Sequence, residues 1–271
     1  TFTDIHDRKE VSEKLRVAVQ SRDDFLSIAS HELKTPLSAL SLRLQILSMD
    51  LQKALKRQAE ENITGEPILV PGKIEKSLAV CVGQTQKIAD LLDELMDITH
   101  IRLGKLKLSK NLVDLCEIAR DLVSRIPSSS GLYNLVSLEI ETAEAIGNWD
   151  PLRIEQVINN LLFNALKYGN GKPIKLKIAR NDYTKEAVLS VADQGVGIPI
   201  EMQEKIFECF ERVETQSYVG GLGLGLYITR QILAGHNGRI EVKSELDIGS
   251  TFIVNLPLEM ENTKQQNVGV E

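Results

Sequence analysis

From Leu26 onward, apolar residues recur at alternating steps of three and four: Leu26, Ala29, Leu33, Leu37, Leu40, Leu44, Leu47, Leu51 and Leu55, with one stretched step across Pro36. That spacing predicts a long helix with a coiled-coil-like seam, ending near Arg57. Residues 62–72 carry two prolines and two glycines and read as a loop. A second stripe, Ile74, Leu78, Cys81, Thr85, Ile88, Leu92, Leu95 and Ile98, predicts a second helix that stops near Leu103, with Gly104 as its C-cap. Two amphipathic helices joined by a loop make a hairpin that cannot bury both stripes by itself. Pairing two hairpins into a four-helix bundle buries them, so a homodimer is expected.

After Lys105 the pattern changes. Strand-like segments lie at 136–141, 174–179, 187–192, 239–243 and 251–256, and helix-like segments at 112–125, 152–167 and 224–234. Strands mixed with helices, without regular βαβ alternation, predict an α+β two-layer sandwich. The expected fold is therefore multi-domain: an all-α hairpin in a dimeric four-helix bundle, then the sandwich. The expected divisions are a linker over 1–20, the hairpin over 21–104, the sandwich over 105–258 and a flexible tail over 259–271.

The net charge of −6 argues against a nucleic-acid partner, which normally meets a basic face. Cys81, Cys116 and Cys209 are scattered and odd in number, so neither a disulfide framework nor a zinc site is expected. A reducing, cytoplasmic setting follows. No apolar run approaches the ~20 residues of a membrane-spanning helix. The chain opens on Thr1, which reads as a fragment whose upstream region holds a sensor or an anchor.

His31 sits in Phe25-Leu-Ser-Ile-Ala-Ser-His-Glu-Leu-Lys-Thr-Pro-Leu37. With Leu26 and Leu33 in the seam, it falls on the solvent side, as a nucleophile or as a plain surface histidine. Glu32, reaching sideways, can hydrogen-bond one ring nitrogen and leave the other free to attack. Thr35 lies one turn along the same face. Pro36 cannot donate to the Glu32 carbonyl, so a bend is expected beside His31.

Four further segments suggest a nucleotide pocket. In Asn159-Asn-Leu-Leu-Phe-Asn-Ala-Leu-Lys-Tyr168, Asn160 and Asn164 share a helical face. Their amide oxygens suit Mg²⁺, and Lys167 can meet a phosphate. In Asp193-Gln-Gly-Val-Gly197, the carboxylate is acceptor-only and favours the amino group of adenine, while Gly195 and Gly197 let backbone approach the base. Ile206-Phe-Glu-Cys-Phe-Glu-Arg212 offers Phe207 and Phe210 as core anchors along a helix and Arg212 for a terminal phosphate. Gly220-Gly-Leu-Gly-Leu-Gly-Leu226 leads into a helix, whose N-terminus is a ready anion site. Helix-surface polarity, a common turn and a hinge are the bland alternatives for these segments taken singly. Neither Rossmann nor Walker spacing is present.

In order and spacing these segments resemble the H, N, first glycine, F and second glycine boxes of bacterial sensor histidine kinases, from about Ser21 to Leu258. The resemblance implies a dimerisation and phosphotransfer bundle followed by a Bergerat-type ATPase domain. It implies His31 as phosphoacceptor, Glu32 as its acid–base partner and Thr35 as the residue that positions water for dephosphorylating a response regulator. It implies Asn164 on Mg²⁺, with Asn160, Lys167 and Tyr168 lining ATP and Asp193 on adenine. Arg212 and the backbone of Gly221, Gly223, Leu224 and Gly225 would meet phosphates. Leu222 and Gly169 stand where hydroxyl residues are common, and Leu246-Asp-Ile-Gly249 lacks the first glycine of the usual third glycine turn. The start, Phe2-Thr-Asp-Ile-His-Asp-Arg-Lys9, resembles the end of a PAS sensor domain. The expected partners are thus a second copy, a receiver domain and an upstream sensor. An ATP-binding pseudokinase scaffold is the alternative, and a simple ATPase of the gyrase or chaperone kind is the third reading.

Overall fold

The computed structural model describes residues 27, 29–53, 71–126, 135–211 and 222–259. The following lie outside them: the 2–9 segment, Leu26, Leu55, the helix end near Arg57, residues 62–70, Arg212, Gly220, Gly221 and the tail from 260. The chain divides into two compact units, Thr1–Thr99 with Gly220–Leu222, and His100–Val219 with Gly223–Glu271.

The first unit is a helical hairpin. Helix α1 is described over 29–53 and runs on through Pro36. Helix α2 spans Pro71–Arg102. It takes in Pro71 and Gly72, which lie inside the segment expected to be loop. At its far end Lys105 N–H donates to the His100 carbonyl at 2.8 Å and Gly104 N–H to Ile101 at 2.9 Å. Gly104 takes φ 62°, so the end is a Schellman motif that needs the left-handed conformation glycine allows.

The single apolar stripe expected on α2 resolves into two. Ile74, Cys81, Ile88 and Leu95 are buried or half-buried with Ser77, Gln84, Leu91 and Ile98. Leu78, Val82, Thr85, Ala89, Leu92 and Met96 are exposed. Both rows alternate steps of three and four, the signature of a coiled-coil seam. Apolar residues flank the 74/81/88/95 row on both sides, so periodicity alone does not tell which flank is buried within one chain. On α1, Leu33, Leu40 and Leu47 are half-buried, whereas Leu37, Leu44 and Leu51 are exposed.

The second unit begins with β1 (Asn111–Asp114), which pairs antiparallel with β3 (Ile146–Trp149). Helix α3 spans Leu115–Ser124. The helix expected from 112 starts three residues later because Asp114 is its N-cap: the extended Asp114 accepts the Cys116 N–H at 3.0 Å and also the Ala145 N–H at 2.8 Å. Strands β2 (Val136–Ile140), β4 (Ile174–Asn181), β5 (Glu186–Ala192), β6 (Arg239–Glu245) and β7 (Gly249–Pro257) form one sheet in the order β2-β4-β5-β7-β6. Only the β2–β4 pairing is parallel.

Helix α4 spans Pro151–Tyr168 and α5 spans Gly225–Gly235. Both pack with α3 as a layer on the sheet. The alternating burial of β4 and β5 puts Ile174, Leu176, Ile178, Leu189 and Val191 under Ile154, Ile158, Leu161, Ile228 and Ile232. Each such side chain taken out of water stabilises the layer by about 1.5–3 kcal/mol. Two short 3₁₀ turns, Ile200–Met202 and Lys205–Phe207, replace the helix expected around Phe207. Phe207 is buried, edge-on to Phe252 at 6.4 Å. Phe210 is only half-buried, at φ 71°, beneath the Arg102 guanidinium.

Candidate functional site

On the hairpin, His31 is exposed and Glu32, its neighbour in sequence, is buried at 5% exposure. Consecutive helical residues point about 100° apart, which accounts for the contrast. Thr35 is exposed, and its hydroxyl donates to the His31 carbonyl at 3.1 Å, closing the local helical turn.

In the second unit, α4 is aimed by its N-cap. The buried Asp150 accepts the Leu152 and Arg153 N–H groups through Oδ1 at 3.1 and 3.2 Å, and the Ser109 N–H through Oδ2 at 2.7 Å. Pro151 occupies the first turn. One face of α4 then carries Asn160 and Asn164, both half-buried. Asn160 Nδ2 donates to Thr229 Oγ1 on α5 at 2.8 Å. The Asn164 amide makes no hydrogen bond among the described residues. Lys167 Nζ lies 4.9 Å from the centre of the Tyr168 ring, a cation–π contact that positions both side chains at the end of α4.

The loop after β5 closes against that end. A side chain at Gly195 would come within 2.0 Å of the Tyr168 carbonyl, and Val196 N–H donates to the same oxygen at 3.3 Å. The close approaches that require glycine at 195 and 197 are thus to protein backbone: Tyr168 and Gly169 for the first, Glu245 and Leu246 for the second. Asp193 Oδ1 accepts the Gly195 N–H at 2.8 Å. Burial pushes its carboxyl above the usual range, and backbone hydrogen bonds from Gly195 and Ser250 oppose the shift. Gly169 ends α4 where a Cβ would fall 2.2 Å from the Ala165 carbonyl, a physical reason for glycine rather than a hydroxyl residue. Gly223, at φ 69°, and the fully buried Leu224 lead into α5, which starts at Gly225 beside Asn160. The asparagine segment, Asp193 and Gly223–Gly225 therefore converge around the end of α4 and the start of α5.

Residues 21–104 match the family model described as "His Kinase A (phospho-acceptor) domain". Residues 149–260 match the one described as "Histidine kinase-, DNA gyrase B-, and HSP90-like ATPase". The chain belongs to the sensor histidine kinases of two-component systems. Sensor protein kinase WalK of Staphylococcus haemolyticus (strain JCSC1435) is 28% identical over 254 residues, 93% of this chain and 39% of that protein. The WalK of Staphylococcus saprophyticus is 29% identical over the same shares. The chain thus spans about two fifths of the length of these curated relatives. Among solved structures, the Acinetobacter baumannii histidine kinase AdeS superposes with a TM-score of 0.57 at 21% identity, covering 85% of this chain and 98% of that one, a likeness of fold. Among the described residues no helix is long and apolar enough to cross a membrane.

The kinase family boxes do not account for every polar group that builds the site. Thr229 carries no sequence signal beyond its helical position, whereas Ser250 falls in Gly249-Ser-Thr-Phe252, which follows the pattern of the family's third glycine turn. Ser244 Oγ accepts the Ile198 N–H at 2.8 Å, donates to the Gly249 carbonyl and meets Ser250 Oγ at 2.9 Å. That network ties the loop after β5 to the β6–β7 turn.

His236 caps the other end of α5. It is buried; its Nε2 accepts the Asp150 N–H at 2.9 Å and its Nδ1 lies 2.8 Å from the Ile232 carbonyl. Only the neutral ring protonated on Nδ1 satisfies both contacts. Burial lowers its pKa from 6.5; the Ile232 carbonyl opposes the shift, nearby Lys110 adds to it, and Asp150 opposes it. A histidine whose folded pKa is depressed lets the unfolded chain bind more protons. Its contribution to stability is therefore complete above about 6.5 and declines as pH falls toward the lower folded value. Urea midpoints read from the fluorescence of the single, buried Trp149 should drop between pH 7.5 and 5.5. His236→Gln should be less stable throughout and show a shallower drop. Parallel pH profiles for the two proteins would remove His236 as the cause.

Proposed function

We propose that this chain is the core of a dimeric histidine kinase that transfers the γ-phosphoryl group of ATP to His31 and then to an aspartate of a response regulator receiver domain. The observation that carries the reading is a solvent-exposed His31 on a phospho-acceptor hairpin, in one chain with an ATPase fold whose Asn164 and Asp193 sit at the ends of neighbouring elements. In the transfer, one His31 ring nitrogen attacks the γ-phosphorus, a P–N bond forms and the bond to ADP breaks. The proton on the other ring nitrogen leaves, with Glu32 as its acceptor.

Asp193 accepts from the adenine amino group, while Tyr168, Lys167 and Asn160 flank the nucleotide. The backbone of Gly195, Gly197, Gly221, Gly223, Leu224 and Gly225, with Arg212, meets the purine and its phosphates. An unengaged amide oxygen, half-buried on the pocket face, fits an oxygen-preferring cation, so Asn164 would hold Mg²⁺. The bound ion would neutralise charge developing on the phosphoryl oxygens.

The exposed row Leu78, Val82, Thr85, Ala89, Leu92 and Met96 supports a second copy as partner, because a heptad seam left in water is a packing surface without its mate. The proposed divisions are 1–20 as a linker from an upstream, PAS-like sensor, 21–104 as the phosphotransfer domain, 105–258 as the ATP-binding domain and 259–271 as a tail. Thr35, one turn from His31, would place the water that dephosphorylates the receiver.

Incubation with γ-labelled ATP and Mg²⁺ tests the reading. The expected result is labelled protein whose label is acid-labile and alkali-stable, as a P–N bond requires. Free phosphate alone would indicate a simple ATPase, and neither product a scaffold.

A further inference from the structure

Asn160 and Asn164 look equivalent in sequence, one turn apart on one face of α4, yet their surroundings differ. Asn160 Nδ2 donates to Thr229 Oγ1 at 2.8 Å, and Thr229 is 1% exposed. The other end of the amide abuts the first residue of α5: a Cβ on Gly225 would lie 2.3 Å from Asn160 Oδ1 and 2.8 Å from Nδ2. The amide is thus clamped between two points of α5 one helical turn apart, Gly225 and Thr229. Asn164, by contrast, has no hydrogen-bond partner among the described residues.

We propose that Thr229 is a positioning residue for phosphoryl transfer: its hydroxyl fixes the Asn160 amide as a strut between α4 and α5, and so registers the Asn164 face against the glycine-led start of α5. This rests on the kinase reading of the site and divides the two asparagines by role, Asn160 as strut and Asn164 as ligand.

The chemistry of the clamp is specific. Threonine offers a hydroxyl to accept the amide N–H, whereas valine has nearly the same shape and none. Thr229→Val leaves a half-buried amide N–H unpaired, and the amide then turns or shifts. The phosphate-facing start of α5 and the cation-facing Asn164 lose their register together. Gly225→Ala attacks the same clamp from its other end, pushing on a side-chain amide that can move aside.

The test uses the whole chain. Calorimetry gives the ATP affinity with Mg²⁺ and with EDTA, and γ-labelled ATP gives the rate of His31 labelling at saturating nucleotide. Thr229→Val is expected to weaken Mg–ATP binding about tenfold, the cost of one hydrogen bond and its unpaired donor. The affinity in EDTA should change less, because the loss lies in matching cation to phosphates, and labelling should slow by a similar factor. Thr229→Ser should restore both to within about twofold of wild type, since it returns the hydroxyl. Gly225→Ala should reproduce the Thr229→Val loss, and the double variant should be no worse than either single one, as expected of changes that break one interaction. Wild-type affinity and rate in Thr229→Val would overturn the proposal. So would a Thr229→Ser variant as impaired as valine, or an equal loss in EDTA and in Mg²⁺. Should Thr229→Val not fold, the serine and Gly225→Ala variants decide the matter alone. Should the wild-type chain bind ATP and label nothing, the kinase reading fails, and the calorimetric comparison still judges Thr229.

Discussion

His31→Gln is expected to lower phosphoryl incorporation to background while ATP binding stays at the wild-type level. The two outcomes separate because the residues sit in different units: His31 on the hairpin, and the asparagine segment, Asp193 and Gly223–Gly225 in the second unit. Glutamine is a good helix former, and an exposed position loses little packing when it is changed. Its amide nitrogen has no lone pair free for attack on phosphorus, so the nucleophile is gone while the helix stays. Labelling measured with γ-labelled ATP, beside calorimetry on the same preparation, gives both readouts. Persistent acid-labile label would move the acceptor to another histidine, and acid-stable label would point to a hydroxyl. A loss of ATP binding in this variant would mean that the substitution disturbs more than the acceptor.

Much of the second unit was legible because strand alternation is a local signal. Ile174, Leu176 and Ile178 alternate with lysines, and the structure puts the first set under the helices and the lysines outward. β1 and β3 were not legible. They are four residues each and carry Asn111, Asp114, Gly147 and Asn148, whose composition reads as turn, and only their mutual pairing makes them strands. The hairpin gave its heptads but not the choice of flank, since a bundle helix carries apolar residues on more than one side. For the site, motif spacing nominated the asparagine, Asp193 and glycine segments, because each pattern is compact. The bonds that hold those segments in place are long-range. Asn160 meets Thr229 across 69 residues, and Asp150 meets His236 across 86. Neither partner stands out in its own neighbourhood: Thr229 reads as an ordinary helical residue and His236 as a helix end before Asn237-Gly238.

Asp193→Asn is expected to weaken ATP binding by one to two decades and, in the same protein, to narrow the preference for adenine over guanine nucleotides. The carboxylate can only accept, so it suits the adenine amino group and repels the carbonyl that guanine carries at the same position. Its local bonds are undemanding: backbone N–H groups of Gly195, 2.8 Å away, and Ser250 need an acceptor, and an amide oxygen with two lone pairs can serve both. Asparagine therefore keeps its oxygen on Gly195 and turns its NH₂ toward the ligand. That end faces the adenine amino group donor to donor, while it can donate to a guanine carbonyl. Losing a hydrogen bond to a charged group costs about 1.5–3 kcal/mol, which is roughly one to two decades of affinity. The substitution also removes a carboxyl whose charge burial already disfavours, so the fold should not suffer. Calorimetry with ATP and GTP, together with the urea midpoint, distinguishes the causes. A fall for ATP with a steady or improved affinity for GTP marks Asp193 as the purine reader. Equal falls for both nucleotides with a lowered midpoint would reduce it to a prop for the Gly195 turn, and unchanged ATP affinity would take it out of the pocket.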